Sequence, residues 1–319
     1  MRSVLEGLEL HPVRIPMRHR FRGVDHRDAV LISGPSGWGE FSPFPDYQSD
    51  VTNRWLAAAL ELACGDLPEP VRSEVPVNVT VPAVAPDTAA SLVLESGATT
   101  AKVKIGNPGD TEIDDEERLS AVRSALGDFG HLRIDVNGSW DLATATSRLE
   151  SLARFDLQYV EQPVATASEM AELGRRTGIL MAADEIIRQS DHPLRALEES
   201  AADVLILKCQ PMGGVRRVVE LAAQVSVPVV ISSALETSVG MYAGLLAASL
   251  FEDLPYACGL GTVALSEGDP TMEPLLPRNG IIEIRRPQPD LELLQRWKPG
   301  RAVSAELLAR LDAAAEALN

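Results

Sequence analysis

The chain has 319 residues, 45% of them hydrophobic, and carries 29 Lys and Arg against 46 Asp and Glu, a formal net charge of −17. So acidic a surface repels phosphate backbones and anionic lipids, and the longest nearly apolar stretch, residues 238–251, is shorter than the ~18–20 residues that span a bilayer. Nucleic-acid and membrane partners are therefore not expected. The three cysteines, Cys64, Cys209 and Cys258, are odd in number, far apart and outside any C-x-x-C, which fits reduced thiols in a cytoplasmic protein and not a disulfide scaffold; Glu6, Glu9 and His11 leave no apolar run for a signal peptide.

In chain order, residues 1–76 read as short strands at 29–32 and 37–40, then a helix at 52–64 stopped by Gly65. From there β-branched runs recur at 77–81, 102–105, 132–136, 158–161, 180–184, 204–208, 227–231 and 256–259. Their spacing of about 25 residues is one strand, one helix and two short loops. Helices are expected between them at 87–95, 111–126, 215–225 and 239–251; the second carries Glu112, Asp114, Asp115, Glu116 and Glu117 early and ends before Gly127. Eight such units predict a parallel (β/α)8 barrel over residues 77–264. An open doubly wound sheet is the competitor, but it more often stops at five or six strands. The segment 265–319 is proline-rich until a last helix at 303–318. Residues 1–76, completed by 265–319, are expected to form one α+β capping domain.

Charged residues sit at strand ends. Lys102 and Lys104 lie two apart on the second strand and face the same way. Asp135 comes late in the third strand, while Glu161, Asp184 and Lys208 end the fourth, fifth and sixth. The C-terminal ends of the strands are where such a barrel places its active site. Asp135, Glu161 and Asp184, from adjacent strands, offer three hard oxygen ligands with no His or Cys nearby, a set that suits Mg²⁺, with Mn²⁺ as a substitute. The alternative is three unrelated acids that cap helices or face solvent. Lys104 and Lys208 flank the acids, and burial and a neighbouring cation both disfavour charge on a lysine, which makes one of the two a usable base; Lys102 is placed to exert that repulsion on Lys104. A structural ion pair for each lysine, or a Schiff-base lysine, is the competing reading. Gly213-Gly214 reads as a turn and less readily as a phosphate cradle, and His131 and His192 lack ligand spacing.

Lys102-Val103-Lys104, Arg133-Ile134-Asp135-Val136-Asn137, Glu161-Gln162-Pro163, Ala183-Asp184-Glu185 and Lys208 followed by Gly213-Gly214 together resemble the enolase superfamily, and the K-x-K pair with the late lysine resembles its muconate-lactonizing-enzyme subgroup. The resemblance covers almost the whole chain. It implies that Mg²⁺ binds a substrate carboxylate and that a base removes the α-proton, with the metal stabilising the enediolate. It further implies that Lys104 is that base, that Lys208 is a cation over the opposite face, and that Asn137 supports the site from behind. Glu185 points to the other face of the chain and is not carried over as a ligand.

Within the subgroup, Ile231-Ser232-Ser233-Ala234-Leu235-Glu236-Thr237-Ser238 and Cys258-Gly259-Leu260-Gly261-Thr262 resemble the o-succinylbenzoate synthase branch, in its actinobacterial form, a group of dehydratases in menaquinone biosynthesis. No acid stands after the eighth strand, where dipeptide epimerases usually carry an aspartate-rich motif. The implied partner is a small dicarboxylate, with Ser232, Ser233, Gly259, Gly261, Arg133 and Arg20 as candidate binding residues. Arg14, Arg18, His19, Arg20, Arg22, His26 and Arg27 read as a basic lid over the barrel mouth, or as an ordinary solvated loop. A racemase, epimerase or cycloisomerase would use the same lysines. A catalytically inactive metal-binding barrel would have lost ligands or lysines, and this chain keeps all six. Nothing in the sequence sets an oligomeric state.

Overall fold

The computed structural model describes residues 4–47, 49–190, 193–194, 197 and 201–318; His192 lies outside them. The chain opens with an antiparallel sheet, β1 (Glu9–Phe21), β2 (Val24–Gly34) and β3 (Gly37–Phe41), followed by helix α1 (Ser49–Cys64). β1 is not expected from the sequence. Pro12 and Pro16 interrupt its pattern, yet β1 is the edge strand of its three-stranded sheet, with β2 as its neighbour there, the place where a sheet tolerates proline. Much of the basic cluster therefore lies on a hairpin rather than in a loop. Arg14 on β1 forks onto Asp28 on β2 with bonds of 2.6 and 2.7 Å.

A parallel seven-stranded sheet follows. Its strands are β5 (Val79–Val81), β6 (Thr100–Lys104), β7 (His131–Asp135), β8 (Leu157–Glu161), β9 (Met181–Ala183), β10 (Val204–Leu207) and β11 (Val229–Ile231), paired in chain order. The eighth expected strand, 256–259, is reduced to two parallel bridges, Val77 with Cys258 and Ser232 with Gly259. These bridges reach both edges of the sheet, and bonds such as Asn78 N–H to Cys258 O (3.0 Å) and Gly259 N–H to Ile231 O (2.8 Å) close the barrel. Away from the barrel ladder, β4 (Glu74–Pro76) pairs antiparallel with β12 (Ile281–Glu283).

β6 shows why strand parity matters. All five of its residues are buried. Ala101 and Val103 join the apolar layer under the outer helices, while Lys102 and Lys104 face the barrel interior on the opposite side of the strand. The outer helices include α2 (Pro86–Ser96), α3 (Glu112–Leu126), α4 (Leu142–Leu152) and α5 (Ala167–Thr177). α3 starts in a capping box between Thr111 and Asp114, which satisfies two backbone donors that would otherwise be orphaned. Short helices α6 (Glu185–Arg188) and α7 (Cys209–Met212) follow β9 and β10 directly, and α8 (Val215–Ala222) comes after Gly213-Gly214.

Both chain ends meet over the barrel. The last helix, α11 (Arg301–Leu318), packs on α1, and Leu311, Ala314 and Ala315 share one apolar cluster with Trp55, Leu56, Ala234 and Leu235. α10 (Leu291–Arg296) precedes it. Helix α9 (Ser238–Ser249) is buried along its whole length, so the 238–251 stretch is apolar because protein surrounds it. Its first turn is held by the cap. Glu40 of β3 accepts from Thr237 N–H (3.1 Å), Gly240 N–H (2.9 Å) and the Thr237 hydroxyl (2.6 Å), an anion at a helix N-terminus. Gly214 (φ +126) sits where the carboxylate of Glu61 from α1 takes the N–H groups of Val215 and Arg216; a Cβ there would fall 2.2 Å from that carboxylate. These helix-start donors are thus bound to an internal acid. Among the described residues no helix is long and apolar enough to cross a membrane.

Candidate active site

The strand ends bring the charged residues into one row. Lys104 is in register with Asp135, and Asp135 with Glu161. Asp184 follows β9 directly and Lys208 follows β10. Asp135, Glu161 and Asp184 are almost fully buried, as are Lys102 and Lys104. Lys102 Nζ donates to both Glu161 oxygens at 2.9 and 2.8 Å and lies 3.3 Å from Asp135 Oδ2. Lys104 Nζ donates to the same Asp135 oxygen at 2.5 Å and to Asn137 Oδ1 at 2.6 Å. Lys208 Nζ donates to Asp184 Oδ2 at 2.6 Å. The two lysines of the sequence argument thus stand on either side of the acids.

The electrostatics separate the lysines. Burial lowers Lys104 below the ordinary lysine range against the pull of Asp135, and Lys102 lowers it further. Burial works against charge on Lys102 too, but Glu161 and Asp135 outweigh it and raise Lys102. Asp135 is held below its usual range, because Lys104 and Lys102 overcome its burial. Glu161 is pushed up to about 7 by burial and by the charges of Asp135 and Asp184, despite its bonds to Lys102. The acids therefore crowd one another.

The chemistry of this donor set fits a hard dication: three buried carboxylates on neighbouring strand ends, oxygen donors only. As the side chains stand, the ammonium groups occupy the space between the acids. Among the described residues no three His, Cys, Asp or Glu side chains form a ready metal cage.

A small cavity opens onto this row. Lys102, Lys104, Asp135, Asn137, Lys208, Ser232, Ser233 and Gly259 all line it; Glu161 and Asp184 lie buried beneath their lysines. Ser233 Oγ is 2.6 Å from Thr262 Oγ1, and the Ser232 hydroxyl donates to Gly259 O at 3.3 Å. The other candidate binding residues are placed elsewhere. Arg133 points into the barrel two residues below Asp135, where it donates to Gln158 Oε1 (2.7 Å) and Ala257 O (2.8 Å) and stacks 4.6 Å from the Tyr159 ring. Gly261 starts a short turn outside the cavity lining, where a Cβ would fall 2.8 Å from Asn78 O. Arg20 is exposed and donates to Gly23 O at 3.3 Å.

One charged neighbour, Arg188, is not singled out from the sequence; Glu185, expected to face away, turns toward the site, and Arg22 of the basic cluster reaches the cavity. Arg188, at the end of α6, lines the cavity and donates to Asp184 Oδ1 at 3.0 Å. Glu185 accepts from Arg188 and from Asn137 Nδ2 (3.0 Å), so it braces the asparagine that holds Lys104. Arg22, at the β1–β2 tip, also lines the cavity, with Phe21 and Phe44. The only sequence signals are the four-residue step from Asp184 to Arg188 and the place of Arg22 in the basic cluster. Cys209 and Cys258 are buried, with burial pushing the Cys258 thiol up to about 11, as for small core side chains.

The barrel and the domain that caps it have counterparts among known proteins. Residues 85–289 match the enolase C-terminal domain-like family and residues 13–63 the enolase N-terminal domain-like family; the chain belongs to the enolase superfamily. It is 52% identical over 272 residues to the o-succinylbenzoate synthase of Thermobifida fusca (strain YX), covering 85% of this chain and 86% of that one. It is 45% identical over 295 residues to the o-succinylbenzoate synthase of Mycobacterium tuberculosis (strain ATCC 25618 / H37Rv), covering 91% and 89%. Muconate lactonizing enzyme from Pseudomonas putida shares the fold, with a TM-score of 0.76 at 19% identity, covering 92% of this chain and 99% of that one.

Proposed function

We propose that this chain is an o-succinylbenzoate synthase of menaquinone biosynthesis. It would dehydrate 2-succinyl-6-hydroxy-2,4-cyclohexadiene-1-carboxylate to 2-succinylbenzoate. The observation that carries the chemistry is that Lys104 and Lys208 enter one cavity from opposite sides of the acid row. The particular reaction is favoured by the identity with relatives of that name, which extends over most of the chain.

In this reading Asp135, Glu161 and Asp184 hold Mg²⁺, which supplies positive charge beside the substrate carboxylate when bound. Lys104, depressed by burial and by Lys102, takes the proton α to that carboxylate. Asp135 and Asn137 fix its Nζ. Lys208 faces the other side of the substrate and balances the negative charge that develops there. The hydroxyl leaves from the face that Lys104 addresses. The same Lys104, now an ammonium, returns the proton to it, so one C–H and one C–O bond break and water departs. Aromatisation of the ring helps drive the step. Phe21 and Phe44 of the cap close over the cavity and limit water access.

The test is turnover of the precursor with Mg²⁺, followed by the absorbance of the aromatic product. Turnover of N-succinylamino acids or of muconate, with none of the precursor, would move the assignment to a racemase or cycloisomerase on the same residues.

A further inference from the structure

We propose that Arg22 and Arg188 together form the binding site for the substrate's second carboxylate, at the succinyl end, remote from the reacting carbon. This inference rests on the dehydratase reading. In that reading the cavity's lysines are committed to the reacting carbon, Lys104 as the base and Lys208 as the cation on the opposite face, with Lys102 beside Lys104 on the same strand. The serine hydroxyls are bonded within the protein. The arginines are different. Arg188 is buried, with Nε on Asp184 and Nη2 on Glu185, and its Nη1 has no hydrogen-bond partner among the described residues. Arg22 makes no side-chain hydrogen bond among the described residues; its ion pair is 3.7 Å long, to an Asp46 that is 68% exposed.

The two guanidinium groups converge. Both line the same cavity, and both lie over the Tyr47 ring, at 5.8 and 5.7 Å from its centroid. Arg22 also stacks 4.1 Å from the Phe44 ring and is held at the hairpin tip by a left-handed backbone, φ +50. Two like charges brought to one aromatic platform repel unless an anion lies between them. A carboxylate has about four lone-pair sites and is well matched to two guanidinium forks. The ring carboxylate belongs with the acids and lysines around the reacting carbon. The succinyl carboxylate is the anion left for the arginine pair.

The test uses calorimetric titration of the intact Mg²⁺-loaded protein with 2-succinylbenzoate and with its methyl ester at the succinyl carboxyl. The native protein should bind the acid more tightly than the ester. Arg22→Gln should weaken the acid by roughly 10- to 100-fold, the range for one hydrogen-bonded charge, and leave the ester nearly unchanged. Arg22→Lys should recover part of the loss, and Arg188→Lys should lose discrimination in the same direction. Equal weakening of acid and ester by Arg22→Gln, or no weakening of either, overturns the site. Precursor turnover by the native protein separates the two claims: turnover without the discrimination removes the arginine site alone, and discrimination without turnover removes the dehydratase reading and keeps the anion site.

Discussion

Lys102→Met is the substitution that most directly probes how the site tunes its base. Lys102 and Lys104 both contact Asp135 Oδ2, at 3.3 and 2.5 Å, so their nitrogens are no more than about 6 Å apart. Two unit charges at that distance interact by about 3 kcal/mol at an effective dielectric constant of ~20. Methionine keeps the stem and removes this repulsion, so Lys104 holds its proton more tightly. The acid limb of kcat/KM should then move to higher pH, by about one unit or more, with activity at neutral pH falling accordingly. The variant should also be less stable, because Glu161 loses the ammonium that bonds both its oxygens. Breaking a buried pair costs about 3–5 kcal/mol. That loss should shrink as pH falls toward 7, because Glu161, pushed up to about 7 even with Lys102 beside it, titrates higher still without that ammonium and becomes neutral. Activity profiles from pH 6 to 10 and urea melts at pH 6 and 8 measure both effects. A folded variant whose acid limb stays in place or moves to lower pH would refute the role given to Lys102.

Chelation with EDTA should abolish turnover, and Mg²⁺ or Mn²⁺ should restore it; full activity after exhaustive chelation contradicts the assignment of Asp135, Glu161 and Asp184. Glu236 is buried and pushed up to about 7 by burial and by Glu40. Its folded pKa lies above the unfolded value, so its carboxyl favours folding in acid and loses that advantage as pH rises from about 4.5 to 7. Glu236→Gln should therefore raise the melting temperature at pH 8 while changing little at pH 5, by at most about 3 kcal/mol; equal shifts at both pH values would contradict this. Ser233→Ala should lower kcat/KM by less than about tenfold, since its hydroxyl is already paired with Thr262; a loss as large as that of Arg22→Gln would place the succinyl end beside Ser233, just after β11.

The barrel was legible because its strands are buried on both faces and read as β-branched runs. Seven of the eight runs coincide with strands to within a few residues. The eighth, around Cys258, keeps its place in the barrel but contributes only bridges. The row from Lys104 to Lys208 was legible because strand parity fixes which side chains face inward. β1 was hidden by its prolines. Arg188 was hidden because a one-turn helix after Asp184 has no periodicity to read. The junction of cap and barrel was least accessible: Glu40 meets Thr237 across 197 positions, and Arg27, buried among cap residues, donates to Ala234 O and Leu235 O at 3.1 Å. Such pairings depend on the docked tertiary structure and leave no local pattern.

The central claim is the division of labour between the two lysines, and charge-conserving replacement tests it most directly. Arginine keeps the positive charge but cannot serve as a base, since its pKa exceeds ~12. Dehydration of the precursor by Lys104→Arg and Lys208→Arg should be compared side by side, with exchange of the α-proton of an N-succinylamino acid in D₂O as a second readout. Lys104→Arg should lose at least the ~10²–10⁴-fold that general bases contribute, while Lys208→Arg keeps measurably more dehydration activity, and any two-base exchange falls in both. Loss of dehydration in Lys208→Arg with activity spared in Lys104→Arg would contradict the account.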